Sequence, residues 1–161
     1  MNTLIVYASK YGCTEKCAKL IAKELNDKVD IINLKKVKDM NLSKYDKVII
    51  GGSIYIGKIQ KDVAEFCSKY LDELKEKQIG LFICGMAEGE AIKTELNKNF
   101  RPELLKIAKA KEYLGGEFLL DKMSFMDKII VKKVSKVKSN KCNILEDKIH
   151  EFTQAMNVEQ L

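Results

Sequence analysis

Hydrophobic and polar positions along the chain change period in a regular way. Short runs of buried-strand type alternate with stretches in which apolar residues recur every three or four positions. Thr3–Ala8 reads as a first strand, and Thr14–Leu25 as a helix with Cys17, Ala18, Ile21, Ala22 and Leu25 on one face. Val29–Leu34 is a second strand, followed by a polar connection in which Met40–Tyr45 holds a short helical turn. Lys47–Gly51 is apolar after its first residue, as a central parallel strand is, and Gly52–Gly57 then reads as a loop. A helix over Lys61–Lys75 buries Val63, Ala64, Cys67, Leu71 and Leu74. Ile79–Cys84 is a fourth strand, Glu90–Asn99 a helix and Pro102–Ala108 a further turn or two, with proline near its start. Lys111–Gly116, with Glu117, forms a thin fifth strand, and Ile144–Met156 closes the chain as a helix capped by Asn143. Five strands interleaved with helices predict an α/β fold, a doubly wound five-stranded parallel sheet in three layers. No repeat or Pro/Gly/Ser-rich linker interrupts it, so residues 1–161 read as a single domain.

Such a sheet binds ligands beyond the carboxyl ends of its strands. Three segments reach that edge: Ser9–Thr14, Gly52–Gly57 and Gly85–Gly89. In the first, a strand stops at Ser9, a polar loop with Gly12 follows, and Thr14 opens a helix. A helix start offers backbone N–H donors and the positive end of a dipole, which suits phosphate. The alternative is a βα loop in which Thr14 only caps the helix. There is no GxxxxGK[ST] and no GxGxxG, so the pattern excludes a nucleotide-hydrolysing loop and a dinucleotide fingerprint and favours one unreacting phosphate monoester. The second segment places Tyr55 between Ile54 and Ile56 where polar residues are the norm, which suits a flat, mostly apolar heterocycle.

These two segments carry a resemblance. Ile5-Val6-Tyr7-Ala8-Ser9-Lys10-Tyr11-Gly12-Cys13-Thr14 resembles the phosphate loop of flavodoxins, and Gly51-Gly52-Ser53-Ile54-Tyr55-Ile56-Gly57 is similar to a segment of the flavodoxin-like branch that includes menaquinone-dependent protoporphyrinogen oxidase. The resemblance extends through Phe66, the Phe100-Arg101-Pro102 corner and Gly115-Gly116. It implies FMN as cofactor, with Ser9, Lys10, Tyr11, Gly12, Cys13 and Thr14 on its phosphate. Ser53, Ile54, Tyr55, Ile56 and Gly57 would flank the isoalloxazine on one side, and Gly85, Met86 and Ala87 on the other. Two departures stand out: Tyr11 replaces the usual third threonine, and the third segment has no aromatic. Electron transfer through FMN is the implied function, by a protoporphyrinogen-oxidase-type dehydrogenase with a quinone acceptor or by a carrier. A phosphate-ligand binding module without redox turnover is the alternative.

Charge and cysteine content refine this picture. The formal net charge is +6, so partners should be acidic or an anionic surface. Leu119–Lys141 holds seven lysines and two aspartates among apolar residues. This basic insertion reads either as a packed insert with a solvated lysine face or as a peripheral membrane contact. No specific nucleic-acid motif accompanies the charge. No run approaches the ~20 apolar residues of a membrane span, and no signal-peptide pattern is read, so a cytoplasmic location is expected, with peripheral contact at the inner face of the membrane as an option. Five cysteines form neither CxxC nor zinc spacing and are expected as reduced thiols. His150 stands alone, Glu88 and Glu90 read as helix-start charges, and Cys13 lacks the arginine of a Cys-x5-Arg phosphatase. No catalytic residue and no metal site emerge, so the chemistry belongs to the cofactor.

Overall fold

The computed structural model describes residues 1–118 and 141–158. The parallel sheet follows from three strands buried on both faces: β1 (Asn2–Ala8), β3 (Lys47–Tyr55) and β5 (Gln78–Cys84). β2 (Lys28–Asn33) and β6 (Ala110–Tyr113) lie at the edges, giving the order β2-β1-β3-β5-β6. Counted without the short β4 (Lys58–Ile59), which pairs antiparallel with the end of β3, this is the 2-1-3-4-5 winding of a flavodoxin-like sheet. Strand alternation divides the core. Leu4, Val6, Val48, Ile50, Leu81 and Ile83 face α2 (Lys61–Lys69), α3 (Leu71–Leu74) and α5 (Pro102–Ile107). Ile5, Tyr7, Ile49, Phe82 and Cys84 face α1 (Cys13–Glu24) and α6 (Glu146–Asn157), where Phe82 meets Phe152 edge-on at 6.0 Å. Helix α4 (Glu90–Asn99) follows β5, and a ribbon of β7 (Gly115–Phe118) and β8 (Lys141–Ile144) stands off the main sheet.

Several boundaries differ from the sequence reading. β3 continues through the segment expected as a loop, because Ser53 still pairs with Cys84 of β5. Only Ile56 (φ 49°) and Gly57 (φ 74°) turn the chain, into a hairpin with β4. The helix expected over Lys61–Lys75 breaks at Tyr70 (φ −106°, ψ 15°), whose hydroxyl accepts the Met40 N–H at 3.0 Å. On that helix Phe66 is buried and Ala64 exposed. Met40–Tyr45 forms no helix. The fifth strand ends at Tyr113, and Gly115 (φ 89°) redirects the chain into β7. The last helix begins at Glu146, so Asn143 belongs to β8 and caps nothing. The basic insertion falls on residues 119–140, outside the described residues apart from Lys141.

At the opposite end from the candidate site, Lys47 is 1% exposed. Its ammonium donates to the Met156 carbonyl at 2.7 Å and pairs with the Asp27 carboxylate at 2.9 Å, which also accepts the Thr3 hydroxyl at 2.7 Å. Helix α6 has no basic residue in its last turn, and this lysine, with Lys109 on the Val158 carbonyl, neutralises its negative end. Burial pushes the Asp27 carboxyl up, but the hydrogen bonds from Thr3 and Lys47 outweigh it and leave Asp27 below the usual aspartate range. A folded-state value below the unfolded one stabilises above the unfolded pKa of about 3.9 and is lost as pH falls through the folded value. Asp27→Asn, which strands a buried ammonium, should therefore cost about 3 kcal/mol in urea unfolding at pH 7. The gap to wild type should close below about pH 4. A gap that stays constant down to pH 3 contradicts this ion-pair account.

Candidate functional site

Gly12 decides the geometry of the first segment. It sits at φ 97° and is the residue immediately before α1, so the chain turns from loop to helix in one left-handed step. Its N–H donates to the Ser9 hydroxyl at 2.8 Å, which closes the loop on itself. The first helical bond runs from the Lys16 N–H to the Gly12 carbonyl at 3.1 Å. The first turn of α1 therefore presents N–H donors that the helix itself does not use. Helix α1 starts at Cys13, one residue earlier than expected, and Thr14 is consequently not a cap. Thr14 is 0% exposed, and its buried hydroxyl oxygen has no hydrogen-bond partner among the described residues. A buried polar group in that state costs about 1–3 kcal/mol, so its position at the start of a helix calls for an acceptor from outside the protein.

The second segment joins the first directly. The Lys10 N–H donates to the Ser53 hydroxyl at 3.2 Å, and the Lys10 ammonium lies 3.3 Å from the centroid of the Tyr55 ring. Tyr55 is half-buried and Ile56 is 68% exposed, so these side chains do not fold into the core. The hairpin that carries them is clamped by Asn99 of α4. Its amide oxygen accepts the Ile59 N–H at 3.0 Å, and its NH2 donates to the Gly57 carbonyl at 3.2 Å.

The third segment packs against the second, where a Cβ on Gly85 would stand 3.3 Å from the Ile54 side chain. The Gly85 N–H donates to the Gly115 carbonyl at 3.0 Å, and the Tyr113 hydroxyl donates to the Gly85 carbonyl. Burial, then Cys84 and Glu95, raise the Tyr113 phenol, which keeps it a neutral donor. A cavity of about 260 Å³ opens here between Gly85–Gly89, Ile92, Tyr113, Gly116, Asn143 and Leu145. Gly116 passes so close that a Cβ on it would lie 2.3 Å from the Gly85 carbonyl oxygen.

All fourteen residues named from the sequence thus stand on three adjoining segments at one edge of the sheet. The sequence reading missed Tyr113, Gly116 and Asn99, which hold those segments in place. The Gly115-Gly116 doublet was the one visible sign of close backbone approach. Also missed was the meeting of Cys13 and Cys17 with Cys84, whose thiols lie within 4.8 Å of one another. The exposed His150 lies on α6 against Glu24 at 3.3 Å and takes no part in the site.

A family model described as a flavodoxin domain matches residues 4–143. The chain belongs to the flavodoxin domain family. A curated relative, protoporphyrinogen IX dehydrogenase [quinone] of Escherichia coli K12, is 20% identical over 93% of this chain and 87% of its own length. Among solved structures, the chain is similar to a Fusobacterium nucleatum flavodoxin bound to flavin mononucleotide, with a TM-score of 0.56 and 15% identity over 96% of both chains. It is also similar to the rubredoxin oxygen:oxidoreductase of Desulfovibrio gigas, with a TM-score of 0.51 and 17% identity over 96% of this chain. The chain spans only 36% of that longer enzyme. Among the described residues of this flavodoxin domain, no helix is long and apolar enough to cross a membrane.

Two glycines test the geometry. Gly12 has open space where a Cβ would go, so Gly12→Ala meets only the left-handed backbone penalty, about 1–2 kcal/mol. Gly116→Ala must push the Gly85 backbone away and should lose more than about 2 kcal/mol. Urea unfolding of the two variants reads the difference, and equal losses contradict the close approach of β7 to the third segment.

Proposed function

We propose that this flavodoxin-family redox protein binds the phosphate of FMN with Ser9, Lys10, Tyr11, Gly12, Cys13 and Thr14. In the same reading Ser53, Ile54, Tyr55, Ile56 and Gly57 line one side of the flavin ring, and Gly85, Met86 and Ala87 the other. The observation that carries the proposal is the Thr14 hydroxyl, buried and unpartnered at the start of α1. That hydroxyl donates to a phosphate oxygen, and the N–H groups of the first turn share the remaining charge. The Lys10 ammonium, now over Tyr55, adds a positive charge within reach of the same loop. Exposed Ile56 and half-buried Tyr55 supply apolar contact for the ring and keep water from one face of it. Bound FMN supplies one- and two-electron transfer, while the protein holds it and sets its surroundings.

Redox partners follow at lower resolution. The similarity to a quinone-dependent dehydrogenase runs along 93% of the chain, so a tetrapyrrole donor and a quinone acceptor form the leading pair. The net charge of +6 supports delivery of a quinone from an anionic surface, with residues 119–141 as the contact. A protein partner in a simple carrier role is the second reading, supported by similarity to a flavodoxin along nearly the whole chain.

Fluorescence titration of apoprotein with FMN and with riboflavin tests the phosphate site. Wild type should prefer FMN by at least about 100-fold, roughly 2.7 kcal/mol. Thr14→Val should remove about tenfold of that preference while leaving riboflavin affinity in place. Equal affinity for the two flavins sinks the phosphate assignment. Oxidation of protoporphyrinogen with a menaquinone analogue, faster in anionic than in neutral vesicles, supports the dehydrogenase, and flavin binding without turnover leaves the carrier.

A further inference from the structure

Three thiols converge below the first segment. Cys13 opens α1, Cys17 lies one turn later, and Cys84 ends β5 just before Gly85. Their exposures are 6%, 0% and 1%, and all three sulfurs lie within 4.8 Å of one another, with Cys17 and Cys84 in contact at 3.6 Å. Hydrogen bonding to Cys13 and Cys17, with Cys84 donating to Cys17, and burial hold the Cys84 thiol well above the ordinary cysteine range, so without an ion Cys84 stays protonated.

We propose that Cys13, Cys17 and Cys84 form a three-sulfur site for a soft monovalent cation, Cu(I). Three sulfurs each about 2.3 Å from a central ion stand about 4 Å apart, a spacing these thiols reach with small side-chain movements. Thiolate ligands select soft ions. Structural zinc completes a tetrahedron with a fourth ligand, and among the described residues no further cysteine, histidine or carboxylate joins this group. Three-coordination therefore favours Cu(I) over Zn(II). Convergence of three sulfurs rather than two also favours an ion over a disulfide.

Binding breaks S–H bonds as S–Cu bonds form, releases the thiol protons to solvent and changes no oxidation state. The negative charge left on the sulfurs lies against the positive end of the α1 dipole. Cys13, at the rim beneath Ser9–Gly12, is the point of entry. The site does not depend on flavin: the thiol of Cys13 belongs to the core cluster below the loop, whereas the phosphate reading uses the helix start above it.

The test is anaerobic titration of the reduced, full-length protein with Cu(I) against a chromophoric Cu(I) chelator, in the presence and absence of FMN. One equivalent should bind, and Cys84→Ser or Cys13→Ser should weaken it at least about tenfold, or about 1.4 kcal/mol. Cys67→Ser should leave it unchanged, because Cys67 lies in the core on the other face of the sheet. Since a buried substitution can impair folding, wild-type protein supplies a second reading by thiol alkylation in urea pulses and mass spectrometry. Cu(I) should protect Cys13, Cys17 and Cys84 together and leave Cys67 and Cys142 as reactive as before. Absence of binding, protection of other cysteines, tighter binding of Zn(II), or appearance of a Cys17–Cys84 disulfide in place of a bound ion each overturns the proposal.

Discussion

A single left-handed residue, Gly12, governs the working end of this molecule. With φ at 97°, the chain leaves β1, closes a loop on the Ser9 hydroxyl and enters a helix without an intervening cap. Two consequences follow from that one turn. The second helical residue, Thr14, is drawn fully inside with its hydroxyl unmatched, and the first, Cys13, drops its thiol onto Cys17 and Cys84. An ordinary capping serine or threonine at position 12 would satisfy one of the N–H donors of its own helix. Backbone conformation, rather than any charged side chain, thus leaves the Thr14 hydroxyl unmatched at the sheet edge.

The rest of the architecture serves to keep three segments in register with that turn. Parallel pairing aligns Ala8 with Gly52 and Ser53 with Cys84, so β1 and β5 end within one position of each other along β3, which runs on to Tyr55. Small residues make the alignment possible: a Cβ at Gly51 would overlap the Phe82 ring at 2.0 Å, and one at Gly80 would meet Phe152 at 2.8 Å. Those aromatic rings fill the layer between the sheet and α6, while Lys47 and Asp27 fasten the far end of the same helix. At the site itself the hairpin that contains the strained residue Ile56 (φ 49°) is held through Gly57 and Ile59 by Asn99, a clamp from a helix that follows two strands later. Non-glycine residues in this region carry about 1–3 kcal/mol of strain and concentrate at ligand clamps.

Much of this was legible in the sequence, and the exceptions share a cause. Periodicity located the five main strands and the α1, α4 and α6 helices, because their burial patterns are local properties of the chain. The three segments at the sheet edge were legible too, since glycine, serine and an apolar tyrosine–isoleucine run are unusual there. What was not legible depended on contacts distant in sequence. β3 outlasts its expected end because β5 offers a partner for Ser53, and the strand after Tyr113 leaves the sheet because β8 lies alongside it. Tyr113 and Asn99 looked like ordinary polar positions until the fold brought them to Gly85 and Gly57. Cys84 is 67 positions from Cys17, so no spacing rule could have joined them.

Charge completes the functional reading. Membership of the flavodoxin domain family describes an FMN-binding redox protein, and its net charge of +6 sets the field in which it meets electron partners. The central claim is that the Gly12–Thr14 junction encloses the FMN phosphate, and phosphorus NMR of the FMN complex tests it most directly. A phosphate held by Thr14 and the α1 donors should give a single bound resonance whose position does not move across the free phosphate's titration near pH 6. A bound-state resonance that titrates like free FMN would show the phosphate in solvent and contradict the account.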